Sequence, residues 1–469
     1  MKYATLLGFS GINRDVSDFL PATGEIAEAE NLSIPKVGVL KKGFDYQIKG
    51  SQITASQDIL GGINWKQADG TSTHIIAIDG STNAEIYIYS AGSWSSQSQA
   101  LTAAKKVRFS YSPTLDVVFA GNLSDDTRQY NGTGWSTTTN LSGAPKTKFP
   151  FVFGRRVYLL NCDLSATLYP ERAFRSSLVD SGSITWDTTN DWITFDDVIT
   201  GVGKNGENMF VGCEDSCWIF TKSDEKYQIM DKGVVSHESI ATYGEWTFCA
   251  MRDGIYAFNG GSWKKISKPI QEYWDSIPEA NISEIQAKVR GHNLYIYIGD
   301  ITEPDSLGNV LWDYDILSNT WMRGGLVDEV KHLHNYITSS GEALFMGNDD
   351  GEIFEMFTSE TQNTATYKSM LETHWFNGSG IRYTDTWYEL HGVGNKLSGL
   401  KVHYKVNDED NGWKSVGELN GAIDMVKLGG IKGKRIKFLL EEYSSNNMYE
   451  LHQLSIGYQP GYVPEDTED

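Results

Sequence analysis

Along most of the chain, apolar and polar residues alternate with a period of two. THIIAID (73–79), EIYIYS (85–90), DVVFAG (116–121), RVYLLN (156–161), NLYIYIGD (293–300) and ALFMGN (343–348) are short β-branched and aromatic runs. Gly, Asn, Asp and Ser bound each of them, which is the signature of strands joined by tight turns. Amphipathic helix is confined to SKPIQEYWDSI (267–277), with Ser267 expected as N-cap and Pro269 in the first turn. A chain that is nearly all strand has to hide its sheet edges, so the architecture is a sandwich, a barrel or a propeller.

A repeated hairpin decides among these. RDGIYAFNGGSWKKIS (252–267) has looser copies in IYIYSAGSWSSQS (86–98) and TRQYNGTGWSTTT (127–139). Tyr89 leads to Trp94, Tyr130 to Trp135 and Phe258 to Trp263, each five residues on; Tyr314 leads to Trp321 through a longer turn. Phe220 and Phe354 hold the same place without a tryptophan, and Phe174 is the weakest copy, with Trp186 twelve residues on. The anchors at 89, 130, 174, 220, 258, 314 and 354 are separated by 41, 44, 46, 38, 56 and 40 residues, and the long step contains the insertion DITEPDSLGN. A strand-only period near 40 is that of four-stranded propeller blades. Seven blades are expected over 51–365, with Tyr89, Trp94, Tyr130, Trp135, Phe220, Phe258, Trp263, Tyr314, Trp321 and Phe354 packing between them. Residues 1–50 read as an extended N-terminal arm whose segment YATLLGF supplies the ring-closing strand. From about 366 the repeat stops. LKVHYKVN, RIKFLLEE and ELHQLSIGY predict a small β-sandwich over 366–460, followed by a disordered acidic tail, 461–469.

Charge and composition narrow the function. Against 61 acids stand 40 Lys and Arg, a formal net charge of −21, which argues against a surface that coats nucleic acid. Cys162, Cys213, Cys217 and Cys249 are too few for a disulfide framework, and the spacing of Cys213 and Cys217 suggests two small core residues on one strand face. No run approaches a membrane span, and the opening residues are too short in apolar character for a signal peptide, so synthesis in the cytoplasm is expected. Phosphate loops, HExxH and GxSxG are absent from the sequence. His332 and His334 share a strand face without an identifiable third metal ligand. Asp196–Asp197 and Asp349–Asp350 read as solvated turns rather than as an acid–nucleophile pair. Asp408, Asp410 and Gly412 depart from the calcium-loop pattern at the glycine and at the last ligand, so a hairpin turn carrying Trp413 is expected. No catalytic residue, cofactor or metal is assigned.

The N-terminal stretch GFSGINRD…LPATGEIAEAENLSIPKVGVLKKGFDY resembles the opening of tail proteins of tailed bacteriophages, at Gly11–Asn13, Gly24–Glu25, Asn31 and Gly38–Gly43. YGEWTFCAMRDGIYAFNGGSWKKISKPIQEYW resembles their propeller blades. YTDTWYELHGV…LKVHYKVNDEDNGWKSVGEL…GKRIKFLLEE resembles the last domain of the tail hub, or nozzle, protein of short-tailed phages, with a shortened turn at 407–413 and only Lys434–Arg435 where that family has a longer basic run. The resemblance implies a virion tail protein without enzyme activity, assembled in the host cytoplasm. It implies a homohexameric ring that prolongs the DNA channel below portal and adaptor, retains the packaged genome, and anchors fibres, tailspikes or a needle. Such a wall would pass DNA without sequence-specific binding, as an acidic surface repels phosphates. A glycan-binding or glycan-processing propeller and a peripheral receptor-binding or baseplate propeller are the alternative expectations.

Overall fold

The computed structural model describes residues 1–15, 24–179, 183–301, 308–338, 341–358, 361–380, 382–407, 412–443 and 448–461. Most of the insertion after Asp300, the acids Asp408 and Asp410, and the tail beyond Gly461 lie outside the described residues. The protein is all-β: a seven-bladed propeller joined to a β-sandwich.

Seven antiparallel sheets of four strands make the blades, six of them with strands in sequence order and the seventh completed by a strand from the N-terminal part; the first carries a further short strand, Leu101–Thr102. Their innermost strands are Ile59–Lys66, Arg108–Ser112, Lys146–Phe153, Ile199–Asn205, Ala241–Tyr243, Gln286–Arg290 and His332–Thr338. Each lies beside the next, and the last returns to the first. The middle strands explain why blades stack. Val117–Gly121 is buried on both faces: Val118 and Ala120 pack toward the first blade, Val117 and Phe119 toward the third. A sheet apolar on both faces needs a neighbour on each side, and a closed ring supplies them. Hydrophobic clusters accordingly fill all seven gaps between blades.

The ring is closed by Tyr46–Ile48, which pairs with Ile353–Met356 as the outermost strand of the seventh blade. This corrects the expectation for YATLLGF. Lys2–Leu7 instead pairs antiparallel with Glu450–Gln459, from Lys2↔Tyr458 to Leu7↔Gln453. The physical reason lies in the side chains. Tyr46 is wholly buried, lies edge-on to Phe354 at 5.2 Å and donates its hydroxyl to Asp328 at 2.7 Å. Tyr3 also reaches an acceptor, Glu389, at 2.8 Å, but both it and Leu7 are exposed rather than enclosed.

The described residues among 1–42 are therefore not an arm. They supply strands to both sheets of the sandwich: Lys2–Leu7, Leu32–Lys36 and Val39–Lys42 join Asp385–Asn395, Ile423–Gly433 and Glu450–Gln459, while Gly11–Ile12 and Glu25–Glu30 join Ser369–Thr373, Leu400–Val406, Lys414–Leu419 and Ile436–Glu442. The sandwich is sewn from both halves of the chain, and the propeller is inserted between them.

Two local readings also change. The helical turn forms as Lys268–Ile270 followed by Gln271–Asp275, but Ser267 makes no cap. Its buried Oγ accepts the Ile255 N–H at 3.0 Å instead. Cys213 and Cys217 lie on successive strands across a turn, so they face opposite gaps, Cys213 toward the third blade and Cys217 toward the fifth.

Candidate functional site

Three places bring chemistry-bearing side chains together: the blade junctions, the seam between propeller and sandwich, and the propeller axis.

All seven aromatic anchors lie on the third strand of their blade. In four blades a tryptophan on the fourth strand stands directly opposite: Tyr89↔Trp94, Tyr130↔Trp135, Phe258↔Trp263 and Tyr314↔Trp321. The rings meet at 4.9, 5.1, 4.8 and 4.7 Å. The indole N–H then reaches the blade before. Trp94 donates to Lys49 O at 3.1 Å, Trp263 to Ile229 O at 3.0 Å and Trp321 to Ile266 O at 3.0 Å. Trp186 of the third blade does the same to Asn140 O at 2.8 Å, so the weakest repeat keeps the link through a displaced residue. Each acceptor lies on or just after the outermost strand of the preceding blade. Trp135 stacks on Tyr130, but its indole N–H has no partner among the described residues. Where the tryptophan is missing, another ring fills in: Phe220 packs on Tyr158 at 5.9 Å and Phe354 on Tyr46. Trp321, Tyr314, Phe220, Phe258 and Phe354 are buried; Tyr89, Trp94, Trp135 and Trp263 are half-buried.

The seam centres on Arg323, a wholly buried residue of the sixth blade's outer strand. Its Nη1 lies 3.0 Å from Glu28 Oε1 and its Nη2 3.5 Å from Glu30 Oε2, both on a sandwich strand. Tyr273, from the helical turn after the fifth blade, donates its hydroxyl to Glu28. Arg14 approaches the same carboxylate at 3.1 Å. Asn31 holds the backbone beside it, donating its N–H to Arg323 O at 2.8 Å and accepting the Gly325 N–H at 3.0 Å. Gly11 passes so close that a Cβ there would lie 2.9 Å from the backbone of Trp321, and its φ of +92° suits glycine. One hydrophobic cluster runs without a break from blades five and six into the sandwich.

The axis holds a cavity of about 550 Å³. Innermost strands of five blades line it, with Ile63 from the first, Phe109 from the second, Phe151 from the third, Val202 from the fourth and Lys288 from the sixth, and His237 and Ile240 come from the approach to the fifth. The Val202 N–H donates to His237 Nδ1 at 3.2 Å, which places the imidazole proton on Nε2. Burial pushes the His237 pKa down to about 3. Beside it Glu238 accepts both Arg108 Nε and Nη2 at 2.9 Å. Burial alone would raise the Glu238 carboxyl, but Arg108, His237 and Lys106 outweigh it and hold the pKa well below the usual carboxylate range. Lys148 and Lys288 are lowered, first by burial. These cations recur at one place in the repeat, the first strand of a blade, in KVRFS, KTKFPF, GVGKN and QAKVR. Aligning blades on the third strand hides that recurrence; aligning them on the first would have exposed it.

His332 and His334 do share a face, their rings 5.3 Å apart. They are buried against His74 of the first blade, whose Nε2 meets that of His334. Asp197 accepts the Glu214 N–H and the Ser216 hydroxyl, both at 2.9 Å, and Asp350 accepts the Ser56 N–H; both carboxylates organise turns.

No family model and no curated protein matches the chain. Solved structures similar to it include virginiamycin B lyase from Staphylococcus aureus, 12% identical, covering 66% of this chain and 99% of that one with a TM-score of 0.45. A streptogramin B lyase is 10% identical, with 67% and 97% covered and a TM-score of 0.43. YCF48 bound to D1 peptide is 10% identical, with 67% and 96% covered and a TM-score of 0.41.

Proposed function

We propose that this chain is a structural subunit of a bacteriophage tail, a hub or nozzle that works by assembling into a ring rather than by turning over a substrate. The observation that carries the reading is where the N-terminal residues of the phage-like motif fall. Gly11 fits against Trp321, Glu25 accepts the Asn13 side-chain N–H at 2.6 Å, and Asn31 binds the sixth blade's outer strand. These are residues of the seam and of the strands that form it. They join two β-bodies into one piece, which suits a ring subunit under load from packaged DNA.

The charge fits the same role. At −21 the chain repels phosphates on average, so a channel formed between subunits would let DNA slide. The propeller's own axis is not that channel, since a cavity of about 550 Å³ has small-ligand size. The adaptor above and fibres, tailspikes or a needle below would be the partners.

Mass photometry of the purified full chain, alone and with a portal–adaptor complex of a short-tailed phage, tests the proposal. A ring of six, alone or templated by the adaptor, is expected. A monomer at every concentration that binds no adaptor would overturn it. Retention on a glycan array without oligomerisation would favour a carbohydrate-binding propeller instead.

A further inference from the structure

The axial cavity gathers cations in a strongly acidic protein, and two lysines at it or behind its wall, Lys288 and Lys148, lack a direct ion pair among the described residues. Arg108, Lys148 and Lys288 all act electrostatically on His237. Glu238 attracts both lysines and Glu214 also acts on Lys148, but the close contacts of Glu238 go to the Arg108 guanidinium. Lys288 lines the cavity, and neither it nor Lys148 makes an ion pair within 4.0 Å among the described residues. Both are partly buried, so water screens them incompletely. Like charges gathered in a half-closed space are costly unless something negative joins them. The Nε2–H of His237 adds a neutral donor.

The rest of the wall has a different character. Phe109, Tyr111 and Phe151 line the cavity and keep part of their surface open. Lys204 lines it too and is exposed; Lys222, also in the lining, is neutralised by Glu207. The site thus combines cations with aromatic surface, within the volume of a small-molecule pocket.

We infer that the propeller axis is a binding site for a small organic anion, whose phosphate or carboxylate group is held by Lys288 and the His237 Nε2–H, with Lys148 adding its positive field from behind the wall, and whose ring or hydrocarbon part lies against Phe109, Tyr111 and Phe151. The site is independent of the seam and of any ring contact, so it stands or falls separately from the tail reading.

Differential scanning fluorimetry and calorimetric titration of the full chain, at constant ionic strength made up with chloride, test it with inorganic phosphate, phenyl phosphate and benzoate. Phenyl phosphate is expected to raise Tm saturably and to bind at least fivefold tighter than inorganic phosphate. Lys288→Gln should weaken phenyl phosphate at least tenfold, and Lys148→Gln should weaken it to a lesser extent. Without ligand these variants should be as stable as the parent or more so, because they remove a partly buried charge that has no direct ion pair; that separates lost binding from lost folding. Lys288→Arg should keep most of the affinity, and Lys264→Gln, on the outer strand of the fifth blade, should change nothing. A Tm shift that never saturates, or one that survives in both Gln variants, would overturn the site. Equal affinity for phosphate and phenyl phosphate would overturn the assignment to an organic anion.

Discussion

At the residue scale, a recurring tryptophan is a two-part joint. Its face packs on the aromatic anchor of its own blade, and in Trp94, Trp263 and Trp321 the N–H takes a carbonyl of the blade before. Trp263 is only half-buried, so less apolar surface is lost on truncation than for an enclosed ring. Trp263→Ala should lower stability by about 2–3 kcal/mol, below the 3–5 kcal/mol of a fully buried tryptophan, with the orphaned Ile229 carbonyl included. Urea denaturation measures it; a loss under about 0.5 kcal/mol would mean that the joint carries no load.

The buried histidines set an acid limit. His237 and His334 both lie at about 3 in the fold because burial disfavours their charged form. Their unfolded value is near 6.5. Below pH 6.5 the unfolded chain takes up protons that the native chain refuses, so stability is lost as pH falls toward 3. At pH 5 each imidazole accounts for roughly 2 kcal/mol of that loss, 1.5 pH units at about 1.36 kcal/mol each. His74 and His332 shift the same way. Tm should fall steeply from pH 6.5 to 5, and His237→Gln should flatten the slope. A parent Tm that stays constant over that range would contradict neutral burial.

At the scale of elements, the third and fourth strands of the blades were legible because their aromatic pairs stand directly opposite each other. A cross-strand pair is a local feature, closed by a short turn, and it leaves a fixed spacing in the sequence. Ring closure was not legible in that way. YATLLGF alternates more regularly than DYQIK, yet Tyr46–Ile48 closes the ring, because its partner and the Tyr46 hydroxyl's acceptor lie about 300 residues away. The axial cations were visible as letters but not as a set, since only the ring brings the first strands together. Tyr46→Ala should therefore cost about 3–5 kcal/mol through its lost ring packing and hydrogen bond. Tyr3→Ala, at an exposed site, should cost under about 1 kcal/mol. The reverse order in denaturant titrations would return the closing role to the first strand.

At the scale of the molecule, the first and last strands, Lys2–Leu7 and Glu450–Gln459, both belong to the sandwich and the propeller lies between them in the chain. The ring-closing strand Tyr46–Ile48 follows closely on the sandwich strand Val39–Lys42, and the hydrophobic cluster of the seam belongs to both bodies. Breaking one body exposes apolar surface on the other and leaves Glu28 and Arg323 as buried charges without each other. The two bodies should thus unfold together, in one calorimetric transition that reports the whole chain. A chain beginning at residue 43 keeps the ring-closing strand but removes Glu25–Glu30, which lies between Gly11–Ile12 and Ser369–Thr373, and all three N-terminal strands of the other sheet. Its C-terminal part should then be protease-sensitive over 366–460, while any blades that survive melt at a lower temperature than the parent. If that shortened chain kept a folded C-terminal domain and an unchanged propeller transition, the seam would be a mere contact between two independent domains, and the load-bearing role proposed for it would have to move elsewhere.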